Sequence, residues 1–272
     1  MLVTHPRPFF RYIRVRPHEE SSVSLFILFP IIFVASLVLT MVGLGGGLIF
    51  SPLFILLQFP VHTAVSASLF LNGIAAISAA ITYFRKKMVD VKIGLPLIIS
   101  SSIFAPLGAY ATSKVNLRFF TAILAAVILL AAIRMIFSKK KESGGNEISD
   151  VHRILGGSVI GMVIGFVAGL LGIGGGVFIV PLLIYVLDVP IKIAAATSIF
   201  IVVFSSSSGF IAHIFIAAPD WKFILLAALF SFAGGQLGSR IMAEKLKGPT
   251  IRKIFGGILL LFVLKLLQKV FV

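Results

Sequence analysis

The chain has 272 residues, 59% of them hydrophobic and 12% charged, with a mean hydropathy of +1.13 and a formal net charge of +15. A soluble domain carries about 25% charged residues, so too little polar surface remains to cover a water-soluble globule. The Lys and Arg residues sit in short segments between apolar runs, where the positive-inside rule and anionic lipid account for them, and nucleic acid is not an expected partner.

Residues 1–22 form a basic arm carrying Arg7, Arg11, Arg14 and Arg16. With the apolar run that starts at Val23 it resembles the opening of a signal peptide. The run reaches Val42 without a small-x-small cleavage site, so it is expected to stay as a first span. Stretches long enough to cross about 30 Å of hydrocarbon lie at 25–42, 63–84, 93–111, 119–137, 155–171, 193–214, 223–241 and 254–270. Two shorter apolar pieces, 48–59 and 177–187, cover roughly half a bilayer. The polar stretch 138–153 reads as a linker between a first transmembrane repeat, 23–137, and a second, 154–272.

The two halves repeat each other. Gly43-Leu44-Gly45-Gly46-Gly47 recurs as Gly172-Ile173-Gly174-Gly175-Gly176, and Pro52-Leu53 as Pro181-Leu182. After a shift of one residue, Pro60 pairs with Pro190, Ser68 with Ser198, Phe70 with Phe200, Lys92 with Lys222 and Gly108 with Gly238. The expected fold is therefore an all-α polytopic membrane protein of two internal repeats. Each repeat has four long transmembrane helices plus one short half helix after a Gly-rich break. If the short pieces are re-entrant, there are eight crossings and the halves run parallel. If they complete a crossing, there are ten and the halves are inverted. Loop charge balances nearly evenly between these. Broken segments at matching places accompany inverted repeats in transporters, which tips the expectation toward inversion.

Three consecutive glycines cost helix stability at about 1 kcal/mol each, and Pro52 and Pro181 each lack a backbone donor. Together they predict a helix break in each half. In a bilayer, freed backbone groups persist only where protein or a wet cavity satisfies them. A helix restarting at Leu48 or Val177 would offer free N–H groups and a positive dipole end, able to hold an anion without a basic side chain. Substrate contacts are expected at Gly45, Gly46, Gly47, Gly174, Gly175 and Gly176, helped by Ser68, Thr197 and Ser198. The competing reading is that the glycines only let helices pack closely. A phosphate-binding enzyme loop does not fit. The P-loop needs Lys-Ser/Thr where Leu48-Ile49 and Val177-Phe178 stand, and the dinucleotide fingerprint needs a small residue at Leu48 and Val177.

In the repeat register Gln58 matches Asp188 and His62 matches Lys192. His62, Asp188 and Lys192 are candidates for attracting charge or coupling protons, against the plainer reading of interfacial residues reaching water. Asn72, Ser66, Gln236 and the run from Ser205 to Ser208 are further polar residues within spans, ordinarily explained by bonding to the preceding turn or to a neighbouring helix. No acidic residue lies deep in a span; central carboxylates mark cation and proton paths, so an anion is the better candidate substrate. The chain has no cysteine, and His5, His18, His62, His152 and His213 show no ligand spacing, so neither metal nor other cofactor is expected. No nucleophile–base pair or carboxylate pair lies within the spans, which argues against an enzyme.

The first span leading into Gly43–Gly47, then Pro52-Leu53 and Ala67-Ser68, with the second copy through Thr197-Ser198 and the Gly108 and Gly238 regions, resembles the sulfite exporter TauE/SafE family, also called the toluene-sulfonate uptake permease family. The resemblance covers most of the chain from Val23 on and implies a multi-pass protein of the cytoplasmic membrane. It implies electrochemically driven movement of sulfite, organosulfonates or related organosulfur anions, leaving substrate and direction open. The expected partners are that small anion and membrane lipid. A passive anion channel and a non-transport membrane subunit are the rival readings.

Overall fold

The computed structural model describes residues 21–111, 117–137, 149–171, 176–214 and 221–271. Among them are ten helices and no strand: α1 Ser21–Val42, α2 Gly47–Leu56, α3 Val61–Arg85, α4 Val91–Ala111, α5 Leu117–Phe137, α6 Asp150–Leu171, α7 Gly176–Tyr185, α8 Ile191–Ile214, α9 Trp221–Glu244 and α10 Gly248–Phe271. Four stretches, Thr63–Arg85, Asp150–Val167, Ile191–Ile211 and Trp221–Glu244, are long and apolar enough to cross a membrane. The other long helices have 21 to 24 residues. Outward faces carry exposed Ile99, Ile103, Leu130, Leu229 and Leu261, a surface suited to lipid rather than water. α6 and α10 begin a turn or more before their apolar stretches, at Asp150 and Gly248, because charged side chains there reach water from a helix that continues into the headgroup zone.

Small residues set how the long helices pack. α9 runs in the same direction as both α1 and α3 and is wedged between them. Gly234 faces the Phe33 carbonyl and Gly238 the Leu37 carbonyl of α1, while Gly235 faces the Ala75 carbonyl of α3. Ser231 Oγ lies 3.0 Å from Ser36 Oγ and donates to the Leu71 carbonyl at 2.9 Å, and Ser78 Oγ donates to the Phe232 carbonyl at 2.8 Å. α6 runs alongside α4, with Gly157, Gly161 and Gly165 laid against Ile93, Leu97 and Ser101. α8 runs opposite to α3, since Gly73 faces Ser206 and Gly209 faces Leu69. α5 packs on α10, α2 on α3 and α7 on α8. Advancing every helix number by five, and wrapping round, exchanges α1–α9 packing with α6–α4 packing and α2–α3 with α7–α8.

Most of the basic residues described gather at one end of the bundle. The end of α3 meets the end of α9 through Lys86 and Glu244 (2.9 Å), and the start of α4 meets the start of α6 through Arg153 and Asp90 (3.3 Å) and through Lys92 and Asp150. Lys192, at the start of α8, donates to the Ala243 carbonyl at 3.2 Å. Arg134, near the end of α5, lies over the ring of Tyr185 at the end of α7. The opposite end is closed by aromatic rings from α1, α9 and the chain around α2: Phe29 stacks on Phe230 at 5.1 Å, and Phe54 meets Phe59 and Phe223.

Candidate functional site

The break between α1 and α2 follows from backbone geometry. Gly43 takes φ +86° and closes α1, with its N–H donating to the Thr40 carbonyl and the Leu44 N–H to the Leu39 carbonyl, the double bond of a Schellman cap. Gly45 takes φ +66°, a second left-handed position that disfavours any side chain. The chain then restarts as α2, with Ile49 and Phe50 N–H donating to the Gly46 carbonyl. Tyr83 Oη donates to the Thr40 carbonyl at 2.8 Å and Ser198 Oγ to the Gly43 carbonyl at 2.6 Å, so α3 and α8 hold the break from two sides.

Gly45 lies against Asn72 and Val202, near the midpoints of α3 and α8. A Cβ on Gly176, the first residue of α7, would stand 3.5 Å from the Leu44 carbonyl oxygen and 3.5 Å from the other methyl of Val202. The starts of both short helices therefore meet halfway along the bundle, with Val202 between them. From there they diverge. α2 leads toward the aromatic end, where Phe54 meets Phe223, and α7 leads toward the basic end, where Tyr185 meets Arg134. The first N–H groups of a helix lack a carbonyl one turn back; in α2 the Gly46 carbonyl takes those of Ile49 and Phe50, leaving Gly47 and Leu48 without one, and each start carries the positive half of a helix dipole. Two such starts converge on one buried point. Among the described residues, the acidic side chains Asp90, Asp150, Asp188 and Glu244 all lie at the basic end, and no cluster of metal-ligating residues is present. The ring of Phe50, fully buried, covers Gly46 from the α2 side, so the point is closed toward the aromatic end.

The structure brings together Gly45, Gly46, Gly47 and Gly176 of the expected contacts; Gly174 and Gly175 lie outside the described residues. Ser198 binds the carbonyl of the break, as above. Thr197 Oγ1 accepts from the Asp90 N–H at 2.9 Å, fixing the α3–α4 connection, and Ser68 is buried within α3. Pro52 and Pro181 sit inside α2 and α7, which run through them, so neither proline ends a helix, and in the first half the interruption falls on Gly43–Gly46. His62 is the second residue of α3 and stands at the end of the bundle opposite Asp188 and Lys192. Asp188 is exposed with φ +53°, close to Gln58 at φ +63° in the corresponding place after α2. Leu44, Phe50 and Val202 were not among the expected contacts. As apolar residues in apolar runs they carry no local signal; Asn72 did, being polar inside a span.

A lipid-faced helical bundle whose broken helices restart at its centre is the architecture of a membrane transporter. Comparison with known proteins makes that class specific. The profile of the sulfite exporter TauE/SafE family matches residues 28–266, and the chain belongs to that family. It is similar to the probable membrane transporter protein YunE of Bacillus subtilis (strain 168), with 28% identity over 88% of this chain and 95% of the relative. It is also similar to the probable membrane transporter protein YdhB of the same organism, with 24% identity over 85% of this chain and 98% of the relative. A third relative, the probable membrane transporter protein ORF9 of Sinorhizobium sp, shares 29% identity over 80% of this chain and 83% of its own length. No solved structure matches the chain.

Proposed function

We propose that the protein is a secondary transporter that moves a small anion, sulfite or an organosulfonate, across the cytoplasmic membrane. The observation that carries this reading is the meeting of the α2 and α7 starts at one buried point, Leu44 beside Gly176, with no carboxylate near it among the described residues. Backbone N–H groups at Gly45–Gly47 and at Gly174–Gly176 bind the oxyanion, as helix starts bind anions elsewhere. Ser198 holds the Gly43 carbonyl beside those segments, and Ser68 and Thr197 assist from the flanking helices α3 and α8. His62 and Lys192 act at the two mouths of the path, drawing the charged substrate in, with Asp188 or His62 as the proton-coupling group. The sulfur anion is taken from the family's description. A flux screen in proteoliposomes over sulfite, sulfate, thiosulfate, sulfoacetate and small carboxylates, at two pH values, tests it. Saturable uptake of a sulfur oxyanion is expected. Single-channel conductance, or no flux of any of them, defeats it.

Inverted repeats underlie the proposed mechanism, each half rocking against the other around the central point. Several features support duplication: the five-helix exchange of packing partners, the left-handed residues Gln58 and Asp188 after the two short helices, and the matching glycine runs. The opposed directions of α3 and α8, partners in the register, support inversion. The gathering of Lys86, Lys87, Lys92, Arg153, Lys192 and Lys247 supports an orientation with the basic end in the cytoplasm, by the positive-inside rule. Because the chain has no cysteine, single-cysteine variants report sidedness cleanly. In right-side-out vesicles Lys222→Cys is expected to react with an impermeant maleimide, and Lys247→Cys only after the vesicles are opened. The reverse pattern would turn the proposed orientation over.

A further inference from the structure

Resting on that reading, we infer that the central seat takes an oxyanion carrying its own hydrogen-bond donor, for sulfite the singly protonated form, and that the Asn72 carbonyl oxygen accepts this hydrogen. Asn72 sits at the middle of α3 with 7% of its surface exposed. Its Nδ2 donates to Ser206 Oγ of α8 at 2.6 Å, which fixes the carboxamide. Its Oδ1 is fully buried without a hydrogen-bond partner, and it occupies the space that a side chain on Gly45 would fill. A buried acceptor left unpaired carries a desolvation penalty that an N–H or O–H of a ligand removes.

This lone acceptor narrows what the helix starts can hold. Gly47 and Leu48, which open α2, offer N–H groups without a carbonyl one turn back, and these suit negative oxygen. Asn72 Oδ1 suits the opposite partner. A fully deprotonated oxyanion would set lone pairs against it and would bring a larger charge out of water. A monoanion with one O–H or N–H on its central atom satisfies the amides and Oδ1 together. Sites built this way reject an analogue that lacks the donor, because the buried group is then left unpaired. A cation is the other partner of a carbonyl oxygen, but the positive ends of two helix dipoles oppose it there. In the repeat register that pairs Phe70 with Phe200, Asn72 falls opposite Val202, so one half alone supplies the acceptor.

The seat's preference for a protonated cargo makes sulfite uptake depend on pH, and few protein groups compete for that role. On the helices around Asn72 the nearest titratable or charged residues are His62 and Tyr83 of α3, Lys192 and His213 of α8, Lys222 and Arg240 of α9 and Tyr185 of α7, each two turns or more from the middle of the bundle. The described residues of α1 and α2 include none.

Proteoliposome uptake of sulfite, sulfamate and methanesulfonate tests the inference. Sulfamate and methanesulfonate share a shape and stay monoanions near neutral pH, but only sulfamate carries N–H donors. Wild type is expected to take up sulfamate at a half-saturating concentration lower by about ten-fold or more, the size of a buried acceptor left unpaired. The ratio of sulfite to sulfamate uptake should rise several-fold from mildly alkaline to mildly acidic pH, and a titration within the protein cancels in that ratio. Asn72→Leu, similar in shape and checked by size exclusion and melting temperature, should bring sulfamate and methanesulfonate together and flatten the ratio. Equal uptake of the two probes by wild type, or uptake that needs sodium and ignores the donor, overturns the inference while transport stands. A folded Asn72→Leu that keeps the wild-type preference overturns the assignment to Asn72. Vesicles that carry no sulfur anion overturn the transport reading and this inference with it.

Discussion

Gly235→Val is expected to leave almost no folded protein in the membrane, with the yield of monodisperse material in detergent falling by about ten-fold or more. A Cβ at this position would stand 2.5 Å from the Ala75 carbonyl oxygen, and backbone in the middle of α3 cannot retreat as a side-chain tip can. The preceding residue, Gly234, is pressed on the opposite side against the Phe33 carbonyl of α1, so α9 has no free direction in which to shift. Overpacking of this kind costs about 1–3 kcal/mol and sometimes more. Displacing α9 also opens the bonds of Ser231 to Ser36 and Leu71 and of Ser78 to Phe232, about 0.6 kcal/mol each in a bilayer setting. Gly257→Ala is the control: nothing lies within 4 Å of its Cβ position, and its yield should match wild type. Equal yields for the two variants would mean that α9 is not held as described.

Gly45→Ala should do the opposite, leaving a protein that inserts and purifies normally but transports its substrate about a hundred-fold more slowly. At φ +66° an alanine carries about 1–2 kcal/mol of left-handed strain, which the bundle can absorb. Its methyl would displace the Asn72 carboxamide and press on Val202 Cγ1, which lies 2.9 Å from the Cβ position. Both neighbours are side chains and can yield, so the cost falls on the proposed anion site, whose wall is displaced, and not on folding. Gly46→Ala makes a useful contrast. Its φ of −89° suits any residue, and the added methyl first meets the Phe50 ring of its own helix. Its loss of uptake should be smaller and should be relieved by Phe50→Leu. Wild-type rates in Gly45→Ala would separate the break from transport.

The ten segments were legible because a bilayer imposes a length: each apolar run either reaches the hydrocarbon thickness or, as at 48–59 and 177–187, conspicuously stops short, and those two became α2 and α7. The break at Gly43–Gly46 was legible because nothing but glycine runs so readily through two left-handed positions. The role of Pro52 and Pro181 was not, since a proline near a helix start removes one internal bond and the same spacing suits either an interruption or a continuing helix. Nor could the partners of Thr197 and Ser198 be read locally. Asp90 and Gly43 reach them only through the packing of α8 against α4 and against the break. His62 and Lys192 matched in register yet stand at opposite ends, because the direction of α8 relative to α3 is a tertiary fact that nearly balanced loop charge could not reveal. Val202 shows the limit most plainly. It is an unremarkable valine until two chain reversals are laid on either side of it.

A seat of peptide amides and hydroxyl groups, as proposed, has nothing that ionises between about pH 4 and pH 10. The grip of such a seat is indifferent to acidity, so a pH response of transport would come from the cargo, through the protonation equilibrium of the oxyanion itself, or from His62 at one mouth of the path.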